Sequence, residues 1–232
     1  MNQQQLALEL ALKESTTFAN YYCAEKNAQL LITLQEVARG RGEQFIYLWG
    51  QPGSGRTHLL QACCHVADKL KLSPIYLPLG DLSHLQPEML EGLEALPLVC
   101  IDNIDGIAGD PVWEEAFFHF FNRVHDAGKR LVIAGCLPPN ELGIKLSDLA
   151  SRLAWGVIFH LQALTDNEKI QALLLRAKAR GLHVPEAVAQ YLIRHWPRDM
   201  GSLFEAIEKL DQASLVAKRK LTVPFVKEVL GI

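Results

Sequence analysis

The sequence predicts an α/β fold with a mostly parallel, five-stranded sheet, followed by a small all-helical domain. Five near-continuous apolar runs alternate with segments of helix length, which is typical of parallel strands covered by helices on both faces. The runs span residues 45–49, 75–77, 98–101, 131–134 and 157–159. After residue 161 no further run of this kind occurs, and amphipathic helical patterns follow. A glycine-rich loop directly after the first run indicates phosphate binding.

That loop is the most informative motif in the chain. Residues 50–57 read Gly-Gln-Pro-Gly-Ser-Gly-Arg-Thr and fit the P-loop pattern G-x-x-x-x-G-[K/R]-[S/T]. The loop follows a predicted strand and opens a predicted helix, the context in which backbone N–H groups and the helix N-terminus bind phosphates. We therefore expect a bound nucleotide, ADP or another, on these residues: Gly50, Gln51, Pro52, Gly53, Ser54, Gly55, Arg56, Thr57 and His58.

A magnesium site is predicted next to this loop. The apolar run 98–101 ends in Asp102, the position at which P-loop proteins present a carboxylate to Mg²⁺. The hydroxyl of Thr57 is the second candidate ligand. Taken alone, Asp102 is also compatible with a strand-end residue that caps a turn.

Two residues of the predicted site argue against fast hydrolysis. Arg56 stands where most P-loops carry lysine, and the planar guanidinium is not interchangeable with an ammonium. Asn103 follows Asp102, and an amide cannot accept a proton from water. Asp105 is a further candidate for orienting water, although nothing in the sequence places it. We expect a site that holds nucleotide and turns it over slowly.

Composition narrows the class of protein. The 232 residues are 49% hydrophobic and 21% charged, as in ordinary globular proteins, and the net charge of -3 gives no global reason to bind nucleic acid. The five cysteines are odd in number and lack CxxC spacing, so we expect buried free thiols in a reducing compartment. No apolar stretch reaches membrane length, and the start MNQQQ is unlike a signal peptide. We expect a cytoplasmic protein without a membrane span.

Three segments are predicted along the chain. They are an extended tail over residues 1–13, the nucleotide-binding domain over 14–162 and the helical domain over 163–232. Thr165 and Glu168 form a capping-box pattern that opens the first helix of the helical domain, and Gly181 is placed to end it. The short connection over 161–165 is expected to act as a hinge.

Four sequence blocks resemble the AAA+ family and, within it, the DnaA-related replication regulators of the Hda type. They are GQPGSGRTHLL at 50–60, LVCIDNID at 98–105, LASRLAWG at 149–156 and KRKLTVPFVKEVL at 218–230. The resemblance implies an AAA+ core with a helical lid and no separate DNA-binding domain. A symmetric dimer through the tail or the lid, or a larger oligomer, stays open.

The tail resembles a motif through which Hda-type proteins bind the sliding clamp, the β subunit of DNA polymerase III. Gln5, Leu6, Leu8 and Leu10 match this motif, and Glu9 stands where such motifs often have proline. An extended peptide of this kind places alternate leucines in apolar pockets. The alternative is that the leucines dock on the core of their own chain or start a helix.

Arg152 resembles the arginine finger of AAA+ proteins, which one subunit presents to the nucleotide of the next. The resemblance implies that Arg152 acts in trans on ATP bound to the initiator DnaA, so that hydrolysis there prevents re-initiation of replication. Without the resemblance, an arginine near a helix end is usually solvated or paired. The alternatives are an autonomous AAA+ ATPase of the helicase-loader kind and a P-loop kinase.

The predicted lid departs from the AAA+ pattern at one position. Gly201 stands where lids of this family carry a basic residue directed at the phosphates, and Arg198 lies about one helical turn earlier. The segment with Phe18, Tyr21 and Tyr22 resembles the region that packs against the nucleotide base, and core packing is an equal alternative.

Overall fold

A computed structural model describes Leu12 and residues 16–232, and the predicted clamp-binding residues Gln5, Leu6, Leu8 and Leu10 lie outside this part. The described part contains the five predicted strands, all parallel, in the order β2-β3-β4-β1-β5. They are Phe45–Trp49 (β1), Ile75–Pro78 (β2), Leu98–Asp102 (β3), Arg130–Gly135 (β4) and Val157–His160 (β5). The predicted fold class is therefore confirmed.

Helices cover the sheet and form the C-terminal part of the chain. The α-helices of the described residues are Ala28–Ala38 (α1), Arg56–Lys69 (α2), Pro111–Asp126 (α3), Ser147–Leu153 (α4), Asp166–Ala179 (α5), Glu186–His195 (α6), Met200–Ala217 (α7) and Val223–Leu230 (α8). Short 3-10 helices occur at Phe18–Asn20, Glu25–Asn27, Pro87–Leu90, Leu93–Ala95, Ile104–Ile107 and Pro139–Glu141. No helix among the described residues is long and apolar enough to cross a membrane.

Side chains of each central strand alternate between two apolar cores. In β1, Phe45 and Tyr47 pack into the core beneath α3 and α4, whereas Ile46 and Leu48 pack beneath α1 and α2. This alternation explains why the strands read as continuous apolar runs, since both faces of the sheet are buried. Because all strands are parallel, their carboxyl ends form one edge of the sheet, the carboxyl edge, and their amino ends form the opposite amino edge.

The last four helices pack around a core of their own. Its fully buried side chains include Leu173, Leu192, Leu203 and Leu210. The predicted capping box opens α5, because the Thr165 hydroxyl accepts from the Glu168 N–H at 3.3 Å and the Glu168 carboxylate accepts from the Thr165 N–H at 2.6 Å. The domain boundaries themselves stay a prediction.

The connection from β5 to α5 is hydrogen-bonded to the segment before α1. Lys26 Nζ donates to the Ala163 carbonyl at 2.8 Å and to the Glu168 carboxylate at 2.9 Å. The buried Asn27 side chain exchanges two hydrogen bonds with the backbone of Gln162, at 3.0 and 3.2 Å. The connection predicted as a hinge is thus held on one side by two polar residues that sequence patterns did not single out.

All five cysteines are free thiols, as predicted. Cys63, Cys64 and Cys100 are buried, whereas Cys23 and Cys136 are partly exposed. The expectation that all of the thiols are buried is therefore wrong for two of them. Cys136 follows β4 at the carboxyl edge, where its sulfur accepts a hydrogen bond from Arg56 of the glycine-rich loop.

Candidate functional site

The P-loop connects β1 to α2 at the carboxyl edge. Gly53 and Gly55 have φ angles of +78° and +106°, in the left-handed region that favours glycine. A Cβ atom at Gly55 would lie 3.0 Å from the Tyr21 ring, and one at Gly50 would lie 2.7 Å from the Leu161 carbonyl oxygen. These three predicted residues are therefore required by backbone conformation or by close packing.

Two buried polar atoms of the loop fit bound phosphates. Within the described residues, the Ser54 hydroxyl and the Arg56 Nη1 atom are buried without a hydrogen-bond partner. The Arg56 side chain is only 7% exposed, and its Nη2 atom donates to the Cys136 sulfur at 3.2 Å. A buried guanidinium with an unpaired N–H is costly, and phosphate oxygens are its natural acceptors. The residues present fit the phosphate groups of a nucleotide.

The predicted magnesium residues lie together beneath the loop. Thr57 Oγ1 donates to Asp102 Oδ2 at 2.6 Å, and Asp102 Oδ1 accepts from the Asn103 N–H at 3.0 Å. Mg²⁺ in nucleotide sites takes one or two protein oxygens in addition to phosphates and water. Thr57 and Asp102 are the side chains that would hold it, since both present oxygen atoms directly beneath the phosphate loop.

Tyr76 completes this arrangement and was missed by sequence reasoning. Its hydroxyl donates to the same Asp102 oxygen as Thr57, at 2.8 Å. Burial and the charge of Asp102 raise the pKa of the phenol, so it stays a protonated donor. Tyr76 lies on β2, the strand paired with β3, and only this pairing brings it near Asp102. No local sequence signal indicates such a contact.

The two residues considered for water activation are engaged differently. Both carboxylate oxygens of Asp105 accept from the Cys136 N–H, at 2.7 and 3.0 Å, which fixes the turn after β4. Asn103 adopts a left-handed conformation with φ of +54° at the end of β3. Neither observation supports a general base beside the P-loop.

A cavity next to the P-loop joins the N-terminal segment to the lid helices. Its lining includes Tyr21, Tyr22, His58, Met200 and Phe204. His58 Nε2 lies 2.8 Å from the Thr17 carbonyl oxygen, and burial lowers the pKa of this histidine, so the neutral ring donates the bond. Of the aromatic residues predicted for base packing, Tyr21 and Tyr22 line the cavity, whereas Phe18 and also Tyr21 pack against the sheet core.

The lid presents its basic residues differently from the AAA+ pattern. Gly201 lies at the start of α7 and has no side chain to reach the phosphates. Arg198 Nη1 lies 3.6 Å from the Asp166 carboxylate at the start of α5. Arg176, which sequence reasoning missed, stacks 4.5 Å above the Phe204 ring that lines the cavity.

Arg152 lies at the amino edge, at the opposite end of the strands from the P-loop. It occupies the last turn of α4, with its Cζ atom 5.0 Å from the Trp155 ring centroid. Trp155 in turn stacks on Phe45 at 6.1 Å, and Phe45 is the first residue of β1. The P-loop follows the last residue of β1, about 13 Å away at ~3.3 Å per residue. The structure therefore separates Arg152 from the phosphate loop of its own chain.

Two family models match consecutive parts of the chain. The model "Bacterial DnaA ATPAse domain" matches residues 84–160, and the model "Hda, lid domain" matches residues 166–230. The first match includes Asp102 and Arg152, and the second covers the helices of the C-terminal core.

Solved structures of AAA+ proteins have the same fold. Domain III of the Thermotoga maritima replication initiation protein DnaA matches with a TM-score of 0.80 at 22% identity, over 94% of this chain and 97% of that chain. AMPPCP-bound DnaA from Aquifex aeolicus matches with a TM-score of 0.74 at 22% identity, over 87% and 66%. The Thermotoga maritima RuvB Holliday junction branch migration motor matches with a TM-score of 0.70 at 17% identity, over 93% and 71%. With both family models matched in order on this fold, the chain is an Hda- and DnaA-related AAA+ protein.

Proposed function

We propose that this chain is a nucleotide-bound regulator that acts with the DNA polymerase III sliding clamp to stimulate hydrolysis of ATP bound to DnaA, and so prevents re-initiation of replication. The observation that carries this proposal is the position of Arg152 at the amino edge. An arginine finger adds rate by stabilising charge on a transferring phosphoryl group, which requires contact with a phosphate. Because the phosphates of its own chain would lie at the other edge, the partner must supply the nucleotide.

The surface around Arg152 fits such a partner. Arg152, Trp155 and Phe118 line a shallow open depression together with Ser151 and Asp148. Trp155 is 47% exposed, and the Arg152 guanidinium lies over the flat apolar face of its ring. Tryptophan and arginine are the residue types most enriched at the energetic centres of protein interfaces. The same patch that presents the finger is thus suited to dock the protein on which it acts.

The nucleotide of the chain itself, in this proposal ADP or another nucleotide with Mg²⁺, sets the conformation of the lid. Arg56, Thr57 and Asp102 supply the phosphate and metal contacts. Asn103 leaves the site without a carboxylate directly after Asp102, and Gly201 supplies no basic side chain from that position of the lid. Occupancy without fast turnover is the expected behaviour.

The tail provides the clamp contact in this proposal. Gln5, Leu6, Leu8 and Leu10 would bind as an extended peptide, with alternate leucines in apolar pockets and the glutamine hydrogen-bonded at one end. A tether of this kind raises the local concentration of the regulator near DNA on which the clamp is loaded. Initiators bound close to that DNA would meet the finger most often.

The decisive variant is Arg152→Ala. We expect it to reduce the stimulated rate of ATP hydrolysis on DnaA by about 10³-fold or more, because the finger charge is lost. Its affinity for nucleotide and for the clamp should remain that of the wild type. Arg194→Ala removes the same side chain from the lid helix α6 and is the matched control, which should stimulate normally.

The clamp part is tested on the same samples. Pull-down with the sliding clamp is compared for the full chain and for a chain lacking residues 1–12, and each is then assayed for DnaA-dependent hydrolysis. We expect the shortened chain to lose clamp binding and clamp-dependent stimulation together. Robust ATP turnover by the purified chain without DnaA would instead support the autonomous ATPase and contradict the proposal.

A further inference from the structure

Glu114 on α3 is a buried carboxylate that receives four backbone hydrogen bonds. Its side chain is 1% exposed. Oε1 accepts from the Gly109 N–H at 2.7 Å and from the Lys145 N–H at 3.1 Å. Oε2 accepts from the Lys145 N–H at 3.0 Å and from the Leu146 N–H at 2.8 Å. One carboxylate therefore joins three backbone donors from two separate loops.

These loops lead into the N-termini of α3 and α4, two helices that pack against each other. Gly109 precedes α3, and Leu146 is the N-cap residue of α4, the helix that carries Arg152. The leucine side chain of this N-cap residue has no polar atom with which to cap α4. The Glu114 carboxylate thus supplies, from a neighbouring helix, a fixed acceptor where the chain enters α4. Lys145 closes the same junction, with Nζ 3.4 Å from the Gly109 carbonyl oxygen.

The carboxylate is held in its charged form. Desolvation would raise the pKa of Glu114, but hydrogen bonds from Gly109, Leu146 and Lys145 together with the Lys145 charge outweigh it and leave the pKa below its usual value. Hydrogen bonds to a charged acceptor are shorter and roughly twice as strong as neutral ones. A junction made this way has less freedom than one held by a neutral amide.

The junction is mechanically connected to Arg152. Helix α4 has seven residues, and its buried side chains Leu149 and Leu153 fix its inner face against the core. Arg152 lies about 9 Å along the helix from the N-cap residue Leu146, at ~1.5 Å per residue. In a helix this short, a shift or rotation of the first turn moves the last turn by a similar amount. A misplacement of about 1 Å can cost a catalytic group about 10²-fold in rate.

We propose that Glu114 is the positioning residue of the arginine finger: it sets the start of α4 so that Arg152 emerges in the geometry needed by the partner's nucleotide. This inference rests on the proposed function, since it gives Glu114 a role only if Arg152 acts in trans. Glu114 is too deeply buried to touch the partner, and it acts through the backbone of Lys145 and Leu146.

The test compares Glu114→Gln with Glu115→Gln. The first replaces an acceptor oxygen by an NH₂ group that faces backbone N–H donors, whereas Glu115 is next in sequence, with a side chain 73% exposed, and is the matched control. For E114Q we expect a tenfold to hundredfold lower maximal rate of stimulated DnaA hydrolysis with an unchanged half-saturating concentration. E115Q should match the wild type in both.

Two further readouts separate positioning from general loss of structure. Amide hydrogen exchange at Lys145 and Leu146 should accelerate in E114Q, whereas exchange in β1 and β4 should stay slow. The double variant E114Q/R152A should stimulate no less than R152A alone, because Glu114 acts through the finger. A multiplicative further loss, or equal acceleration of exchange throughout the sheet, would overturn the inference.

If E114Q does not fold, Glu114→Asp is the variant that tests the same inference. It keeps the charge but is one methylene shorter, so we expect a folded protein with intermediate stimulation and intermediate exchange at Lys145 and Leu146. Full stimulation by E114D or E114Q despite fast exchange at these amides would refute positioning. The proposed function itself fails if R152A keeps its stimulation, which the same assay measures independently of any Glu114 variant.

Discussion

The two edges of one sheet differ in what their polar groups are built to contact. At the carboxyl edge the polar groups are directed into the protein, since Asp102 is completely buried and Arg56 nearly so. Asp102 accepts a hydrogen bond from Thr57, and Arg56 has a buried Nη1 atom that a phosphate oxygen would pair. At the amino edge the only partner the structure gives the Arg152 guanidinium, within the described residues, is the half-exposed ring of Trp155. In the proposed function, the carboxyl edge holds a nucleotide and the amino edge offers a charge to another molecule.

This difference separates two properties that a single ATPase site combines. Holding a nucleotide requires donors and a closed cradle, which the P-loop supplies. Accelerating hydrolysis requires a positive charge at the transferring phosphoryl group, and the chain carries its candidate for that charge about one strand length away. If Arg152 is the finger, the chain depends on a partner that supplies the nucleotide on which the finger acts.

The largest expected change in stability is at the carboxyl edge, from Asp102→Ala. This variant leaves the Thr57 hydroxyl, the Tyr76 hydroxyl and the Asn103 N–H without their acceptor, and we expect a loss of about 2–5 kcal/mol in the free energy of unfolding. Tyr76→Phe removes the hydroxyl itself, so no donor is left without an acceptor, and the free energy of unfolding should fall by only about 1 kcal/mol. Urea denaturation measures both. Equal losses for the two variants would show that the carboxylate is not the centre of this network.

A smaller effect is expected at the amino edge from Trp155→Ala. At saturating DnaA, where docking does not limit the rate, loss of the exposed cation–π contact with Arg152 is worth about 0.5–1 kcal/mol, which corresponds to roughly two- to fivefold in stimulated hydrolysis. Trp155→Phe keeps an aromatic face and should stay near the wild-type rate. Nucleotide affinity, measured by calorimetry, should be the same in all three proteins. A change in that affinity would mean that the two edges are not independent.

The smallest effect is a pH dependence linked to His58 at the nucleotide cavity. Burial lowers the pKa of His58 in the folded chain from its ordinary value of 6.5, so the unfolded chain binds more protons below that pH. The free energy of unfolding should therefore decrease as the pH is lowered through about 6.5. His58→Gln should flatten this slope in denaturation series between pH 5 and 8, whereas His119→Gln on α3 should keep it. An unchanged slope in H58Q would show that the histidine is not buried in its neutral form.

The sequence predicted most of the sheet and the lid helices because local patterns determine them. Apolar runs marked all five strands, and the Thr165–Glu168 capping box marked the start of α5. The P-loop was equally visible, because its whole pattern lies within eight consecutive residues and its glycines are required by the local backbone conformation. Features of this kind depend on neighbours in the chain.

What the sequence did not predict depends on contacts between distant segments. Tyr76 reaches Asp102 only through the pairing of β2 with β3, and Glu114 reaches Lys145 only because α3 and α4 pack together. The separation of Arg152 from its own P-loop is also a property of the parallel sheet, because it follows from which ends of the strands share an edge. No spacing in a single sequence encodes these distances.

The most direct test follows the phosphate that is released. DnaA is loaded with ATP labelled at the γ-phosphate and mixed with this chain and the clamp, and in a second mixture the label is placed on this chain instead. We predict rapid release of label from DnaA that disappears in R152A, and slow release from this chain that R152A leaves unchanged. Rapid release from the label on this chain, or release from DnaA that persists in R152A, would contradict the division of roles between the two edges.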